Sequence, residues 1–104
     1  MNEIIQSSVY TTQKGTPVTD SVKVARVFDK LHKNVMKSIR NILGSAQNLA
    51  HQNWFTETTY TDAQGKRQPM FLMNRDGFSL LTMSLTGEKA MAFKVAFIEQ
   101  FNRM

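Results

Sequence analysis

Lys23 to Arg40 reads KVARVFDKLHKNVMKSIR. It carries six basic residues (Lys23, Arg26, Lys30, Lys33, Lys37 and Arg40) against one acid, Asp29. That excess of +5 equals the net charge of the whole 104-residue chain, because the remainder carries seven basic and seven acidic residues. A chain that places its entire charge excess on one short segment presents it to an anionic partner. At about 100° per residue, Val35, Ile39, Ile42 and Leu43 share one helical face, with Met36 at its margin. The opposite face carries Lys33, Asn34, Lys37, Ser38, Arg40 and Asn41. Lys and Arg meet phosphate, whereas Asn, Ser and Arg carry heads that hydrogen-bond base edges.

Upstream, Val24, Ala25, Val27 and Phe28 form the apolar side of a shorter helix, with Asp20 or Ser21 as its N-cap. Two helices joined tightly around Asp29–His32 make a helix-turn-helix pattern, and the small Ala25 and the apolar Val35 suit a close crossing. Such connections often contain Gly; here Asp29 and Lys30 are the turn candidates, and Asp tolerates the left-handed backbone at some cost. The alternative is an ordinary amphipathic helix with a solvated basic face.

Working outward, Ile4 to Tyr10 (IIQSSVY) reads as a strand, Gln13-Lys14-Gly15 as a turn and Thr16-Pro17-Val18 as a short return strand kept at an edge by Pro17. Gly44 is expected to end the basic helix. Ser45 to Asn53 is polar and gives no clear element, and Trp54-Phe55 read as core. Phe55 to Met73 reads as a β-hairpin turning at Asp62-Ala63-Gln64-Gly65. Lys66 and Arg67 follow that turn. They either contact nucleic-acid backbone from the tip of a wing or guard a hairpin end against edge pairing. Asn74 caps a helix from Arg75 to Leu85 with Phe78, Leu81 and Leu85 on one face. Thr86 caps a last helix from Gly87 to about Arg103. Its apolar residues cover more than half of the circumference, which a surface helix does not need; it either lies between two layers of core or turns its second face to a partner, with a homodimer through 87–103 as the leading expectation.

The chain has the composition of one globular domain, 1–104, with 41% hydrophobic and 20% charged residues. No apolar run approaches the ~18 residues of a membrane span, and no signal peptide is visible. The absence of cysteine fits the cytoplasm. No metalloprotease, phosphate-loop or nucleophile-elbow motif is present, so no catalytic residue, metal site or cofactor is expected. Glu57, Asp62, Asp76 and Glu88 fall at strands, turns and helix starts, where structural roles suffice; a paired-carboxylate Mg²⁺ nuclease is the remote exception.

Three patterns occur in order: K-x-H-x-x-V-x-x-x-I-R (Lys30, His32, Val35, Ile39, Arg40), N-R-D-G-F (Asn74 to Phe78) and T-G-E-K-A (Thr86 to Ala90). Together the chain from Val18 to Met104 resembles the phage regulatory protein Rha family. The resemblance implies a phage or prophage regulator with an N-terminal DNA-binding domain of winged-helix type, in a family whose members are often longer. The expected fold is therefore α+β, a winged helix-turn-helix-like domain with a β-hairpin wing and two C-terminal helices. The expected partner is double-stranded DNA in a bacterial host cytoplasm, met by Lys33, Asn34, Lys37, Ser38, Arg40, Asn41, Lys66 and Arg67. Two other readings stand beside it. One is a protein-interaction module antagonising a host or phage factor through the basic face or the apolar last helix. The other is RNA binding, which the buried-looking aromatics disfavour. His32 reads as structural, on the buried side near the helix start. The alternative for it is a phosphate contact that strengthens below about pH 6.5. His51 receives no role.

Overall fold

In the computed structural model, which describes residues 8–45, 53–85 and 90–103, Asp20 marks the passage from strand to helix. It closes β2 (Pro17–Asp20) in extended backbone, and its carboxylate accepts the Lys23 N–H at 2.8 Å, capping α1 (Ser21–Val27). The buried Asp20 also accepts the Tyr10 hydroxyl at 2.9 Å and pairs with Lys23 at 3.9 Å. Burial and the neighbouring Asp20 charge both push the Tyr10 phenol above its ordinary pKa.

The end of α1 is equally well defined. Asp29 stands at φ 55°, the one positive φ outside glycine among the described residues. The Lys30 N–H donates to the Ala25 carbonyl at 2.9 Å and the Asp29 N–H to that of Arg26 at 3.4 Å. This is the double closure of a helix end around a left-handed residue. The Asp expected at the turn therefore takes the conformation usually given to Gly. Two residues later α2 (His32–Ser45) begins. It runs through Gly44, which was expected to end it; Gly44 shows no left-handed backbone, and the residues after Ser45 lie outside those described.

The strand expected over Ile4–Tyr10 is corrected at its described end: Ser8 is helical and β1 is Tyr10–Thr11, while residues 4–7 lie outside the described range. Strands β3 (Phe55–Thr61) and β4 (Arg67–Met73) form the expected hairpin, in register from Phe55↔Met73 to Thr61↔Arg67. The antiparallel order is β1-β2-β4-β3, which corrects the placing of the Pro17 strand at an edge. Pro17 avoids the ladder on its inner side because β2 meets β4 only through Thr19↔Met73 and Asp20↔Leu72, leaving Pro17 as a first strand residue.

Helix α3 (Arg75–Thr82) is capped by Asn74, whose side chain accepts the Gly77 N–H at 2.9 Å. It stops short of the expected Leu85, because Met83, Ser84 and Leu85 donate to carbonyls three residues back and tighten into turns. Phe78, Leu81 and Leu85 are buried on one face as expected. Gly77 has no room for a side chain: a Cβ there would come 2.4 Å from the Trp54 carbonyl oxygen. Helix α4 (Ala90–Arg103) follows; the expected Thr86 cap lies outside the described residues.

The core gathers Val24, Val35, Ile39, Met73, Phe78, Leu81 and Phe97 between the helices and the sheet. Phe97 stacks on Phe78 at 4.7 Å and on Phe28 at 5.8 Å, and Phe28 and Phe78 meet tilted at 6.3 Å. Only the base of the β3–β4 hairpin joins them, through Phe55, Phe71 and Met73; its outer half is exposed or half-buried. The fold is α+β.

Candidate nucleic-acid interface

Helix α2 has a sharply divided surface. Val35, Met36 and Ile39 are 2%, 4% and 0% exposed, and they fix its inner face. Lys33, Asn34, Lys37, Arg40 and Asn41 are all exposed, and Ser38 is half-buried at the boundary. Five of the six residues expected on the outward face are therefore open to solvent. No acid lies within α2. Among the described residues the ion pair is Lys23 with Asp20, so Lys33, Lys37 and Arg40 have no carboxylate partner there. Three cations without a carboxylate partner among the described residues, on one face of one helix, make an anion-attracting surface.

Besides its core contacts, the helix is tied in place by one hydroxyl. Ser21, fully buried at the start of α1, lies 2.9 Å from His32 Nε2 and 3.4 Å from Met36 Sδ, and its oxygen accepts the Phe71 N–H at 3.0 Å. One serine thus ties α1, the start of α2 and strand β4. Sequence reasoning offered Ser21 only as a cap; Asp20 takes that role, and the clustering of capping types gave no sign of the tertiary one. His32 is half-buried, as expected for a structural residue, and packs edge-on against Tyr60 at 5.6 Å. Burial pushes its pKa below the ordinary value; the Asp20 charge opposes this and Arg40 adds to it.

The Tyr60 contact brings the outer half of the hairpin to the beginning of α2. Tyr60 pairs with Gln68, next to the Thr61↔Arg67 rung that ends the ladder. Beyond it, Asp62 organises the tip. Its Oδ1 accepts the N–H groups of Gln64 and Lys66, both at 2.9 Å, and its Oδ2 accepts Gln68 Nε2 at 3.2 Å. The Lys66 N–H, then Gln68 and Gln64, hold the Asp62 pKa below the usual carboxylate range. Gly65 closes the loop at φ 81°, a conformation that side chains other than Gly rarely take. Lys66 and Arg67 stand exposed directly after this stiffened turn.

One exposed residue was missed. Leu31, 61% exposed, sits immediately before α2, and its carbonyl accepts the Asn34 and Val35 N–H groups at 3.0 and 3.2 Å. The sequence reading gave Leu31 no role; the start of α2 at His32 leaves it outside the helix. His51 and Glu88 lie outside the described residues. Among those described, no three His, Asp or Glu side chains gather where a metal could sit. Asp62 is bound up in its turn and Asp76 is exposed in the first turn of α3. No helix among the described residues is long and apolar enough to cross a membrane.

Comparison with known proteins agrees with the resemblance in the sequence. The profile of the family described as phage regulatory protein Rha matches residues 19–104. An uncharacterised Haemophilus influenzae protein is 42% identical over 84% of this chain and 51% of its own length. An uncharacterised 22.8 kDa protein of Salmonella phage P22 is 32% identical over the whole chain and 55% of its own length. A Bacillus subtilis protein from the SPbeta prophage, which carries an antirepressor name, is 30% identical over 88% of this chain and 38% of its own length. The chain thus spans about half the length, or less, of the curated relatives it matches. No solved structure matches it.

Proposed function

We propose, since the chain belongs to the phage regulatory protein Rha family, that it is a single DNA-binding module of a phage or prophage regulator, acting in the bacterial cytoplasm by binding double-stranded DNA sequence-specifically. The observation that carries this reading is the outward face of α2, exposed and without a carboxylate partner among the described residues, beside a hairpin with two further cations after its tip. The element order β2-α1-α2-β3-β4, with β2 paired to β4, supports reading the domain as a winged helix-turn-helix with the hairpin as its wing. In this reading α2 enters the major groove. Asn34, Lys37, Ser38 and Asn41 face base edges, Lys33 and Arg40 meet phosphates on either side, and Lys66 and Arg67 add backbone contacts from the wing.

A selection from random duplex DNA tests this reading. The expected result is an enriched sequence whose affinity falls with salt by about 0.9 log units per phosphate contact per log unit of salt. Failure to bind any duplex at low salt would overturn it.

A second reading has its own support. Met91 and Val95, one helical turn apart on α4, are 66% and 46% exposed, and Met83 is 80% exposed. A homodimer through α4 covers Met91 and Val95 and predicts a two-fold symmetric selected sequence. A protein antagonist would instead use this surface against a different chain, as the antirepressor name of the prophage relative suggests. Tight capture of a defined protein, with no sequence enriched from random DNA, would favour the antagonist.

A further inference from the structure

The outward face of α2 is not uniform. At about 100° per residue, Asn34, Ser38 and Asn41 fall in one row with Leu31 at its margin, and Lys33 and Arg40 in another about a third of a turn away, with Lys37 between the two. The first row holds no charge, whereas the second is cationic. A duplex offers two different surfaces to such a helix, a phosphate strand and the base edges of the major groove. We propose that the uncharged row faces the groove floor and that Leu31, at its leading end, contacts the C5-methyl group of a thymine.

This inference rests on the DNA-binding reading and adds to it a residue and a base. Thymine methyl is the apolar group that the major groove presents, and the N-terminal end of a recognition helix is the part that reaches deepest. Leu31 is held there by its backbone bonds to Asn34 and Val35, 61% exposed, and flanked by exposed Lys30 and Lys33. The charge of those neighbours selects a polyanion that carries an apolar spot. A protein interface would surround such a leucine with further apolar side chains, as Met91 and Val95 accompany each other on α4.

The test uses the duplex selected by the full chain, with each thymine of the site replaced in turn by deoxyuridine, which removes only the methyl. One position is expected to lose about fourfold in affinity, the value of one buried methyl group. Leu31→Ala should lose the same on the thymine duplex and be indifferent to the replacement, and Leu31→Met should restore the preference. Circular dichroism identical to wild type confirms that the variants fold. A Leu31→Ala protein that keeps full affinity and full thymine preference overturns the proposal and leaves DNA binding standing. Enrichment of no sequence, with binding still lost in Lys37→Glu/Arg40→Glu, overturns it as well, while loss of all duplex binding removes the parent reading too.

Discussion

Helices α2 and α4 are each 14 residues long, and each presses a few large apolar side chains into the same core. On α2 these are Val35, Met36 and Ile39; on α4 they are Phe97 and Phe101, with Phe93, Ala96 and Ile98 packed beside them. Their outer sides differ. Helix α2 turns three cations and no acid to solvent, and its outer residues are polar apart from the Leu31 that precedes it. Helix α4 turns out Met91, Ala92 and Val95, and its charges, Lys94, Glu99 and Arg103, include both signs. Burial accounts for the inner faces of both helices. It accounts for neither outer face, and the two outer faces suit different partners: a polyanion for α2, an apolar surface for α4.

If the inner faces are equivalent, truncating either should unfold the protein to a similar extent. Phe97 is fully buried between Phe78 and Phe28, and Phe97→Ala should cost about 3–5 kcal/mol. Ile39→Ala, equally buried, should cost about 2–5 kcal/mol. Against a total of about 5–15 kcal/mol for such a domain, either loss is readily seen in urea denaturation. A cost below about 1 kcal/mol for Phe97→Ala would mean that α4 folds apart from the core and that the likeness of the two helices is superficial.

The outer faces should then separate. Lys37→Glu with Arg40→Glu should leave the urea midpoint nearly unchanged and weaken duplex binding by about a hundredfold. The lost phosphate contact of Arg40 should lower the salt slope by about 0.9. Unaltered DNA affinity in this variant, measured by electrophoretic shift, would remove α2 from the interface.

The sequence made the inner faces legible because burial leaves a period. Val35 and Ile39, Phe78 and Leu81, and the hairpin register all follow from spacing and turn residues. Asp29 was identifiable as the turn residue because few types other than Gly accept a positive φ. What escaped depended on contacts between distant segments. Ser21 meets Phe71 across 50 positions, and nothing near Ser21 announces that meeting. The interior place of β2 depends on a β4 strand more than 45 residues later. Leu31 escaped because a lone leucine among charged neighbours gives no period of its own, and its exposure depends on where α2 starts. The outward surface of α2 was readable as a pattern of charge, whereas the bases or proteins that fit it are properties of the partner.

Met91→Glu with Val95→Glu probes the other outer face. As surface changes they should alter folding stability by no more than about 0.5 kcal/mol. If α4 is the self-contact proposed above, they should also leave the protein monomeric in sedimentation equilibrium and without preference for two-fold symmetric sites over half-sites. A variant that remains dimeric would place the self-contact elsewhere and leave α4 for a different protein.

The smallest expected effect lies where α2 meets the hairpin. His32 is held below its ordinary pKa, chiefly because charging it would take a half-buried imidazole out of water. The unfolded chain therefore binds a proton more readily than the folded one between the lowered value and about 6.5. The stability contributed by neutral His32 is complete above about pH 6.5. It diminishes as pH falls toward the lowered value, and below that both states are protonated and no further loss accrues. Urea midpoints of wild type should thus drop relative to His32→Gln between pH 7.5 and 5.5. Charged His32 can still donate to Ser21 while Ser21 donates to Met36 Sδ, so the drop should be modest and α2 should stay in place. A wild type whose midpoint instead rises on acidification relative to the variant would mean that the imidazole gains an anionic partner in the folded state, with Asp20 outweighing burial.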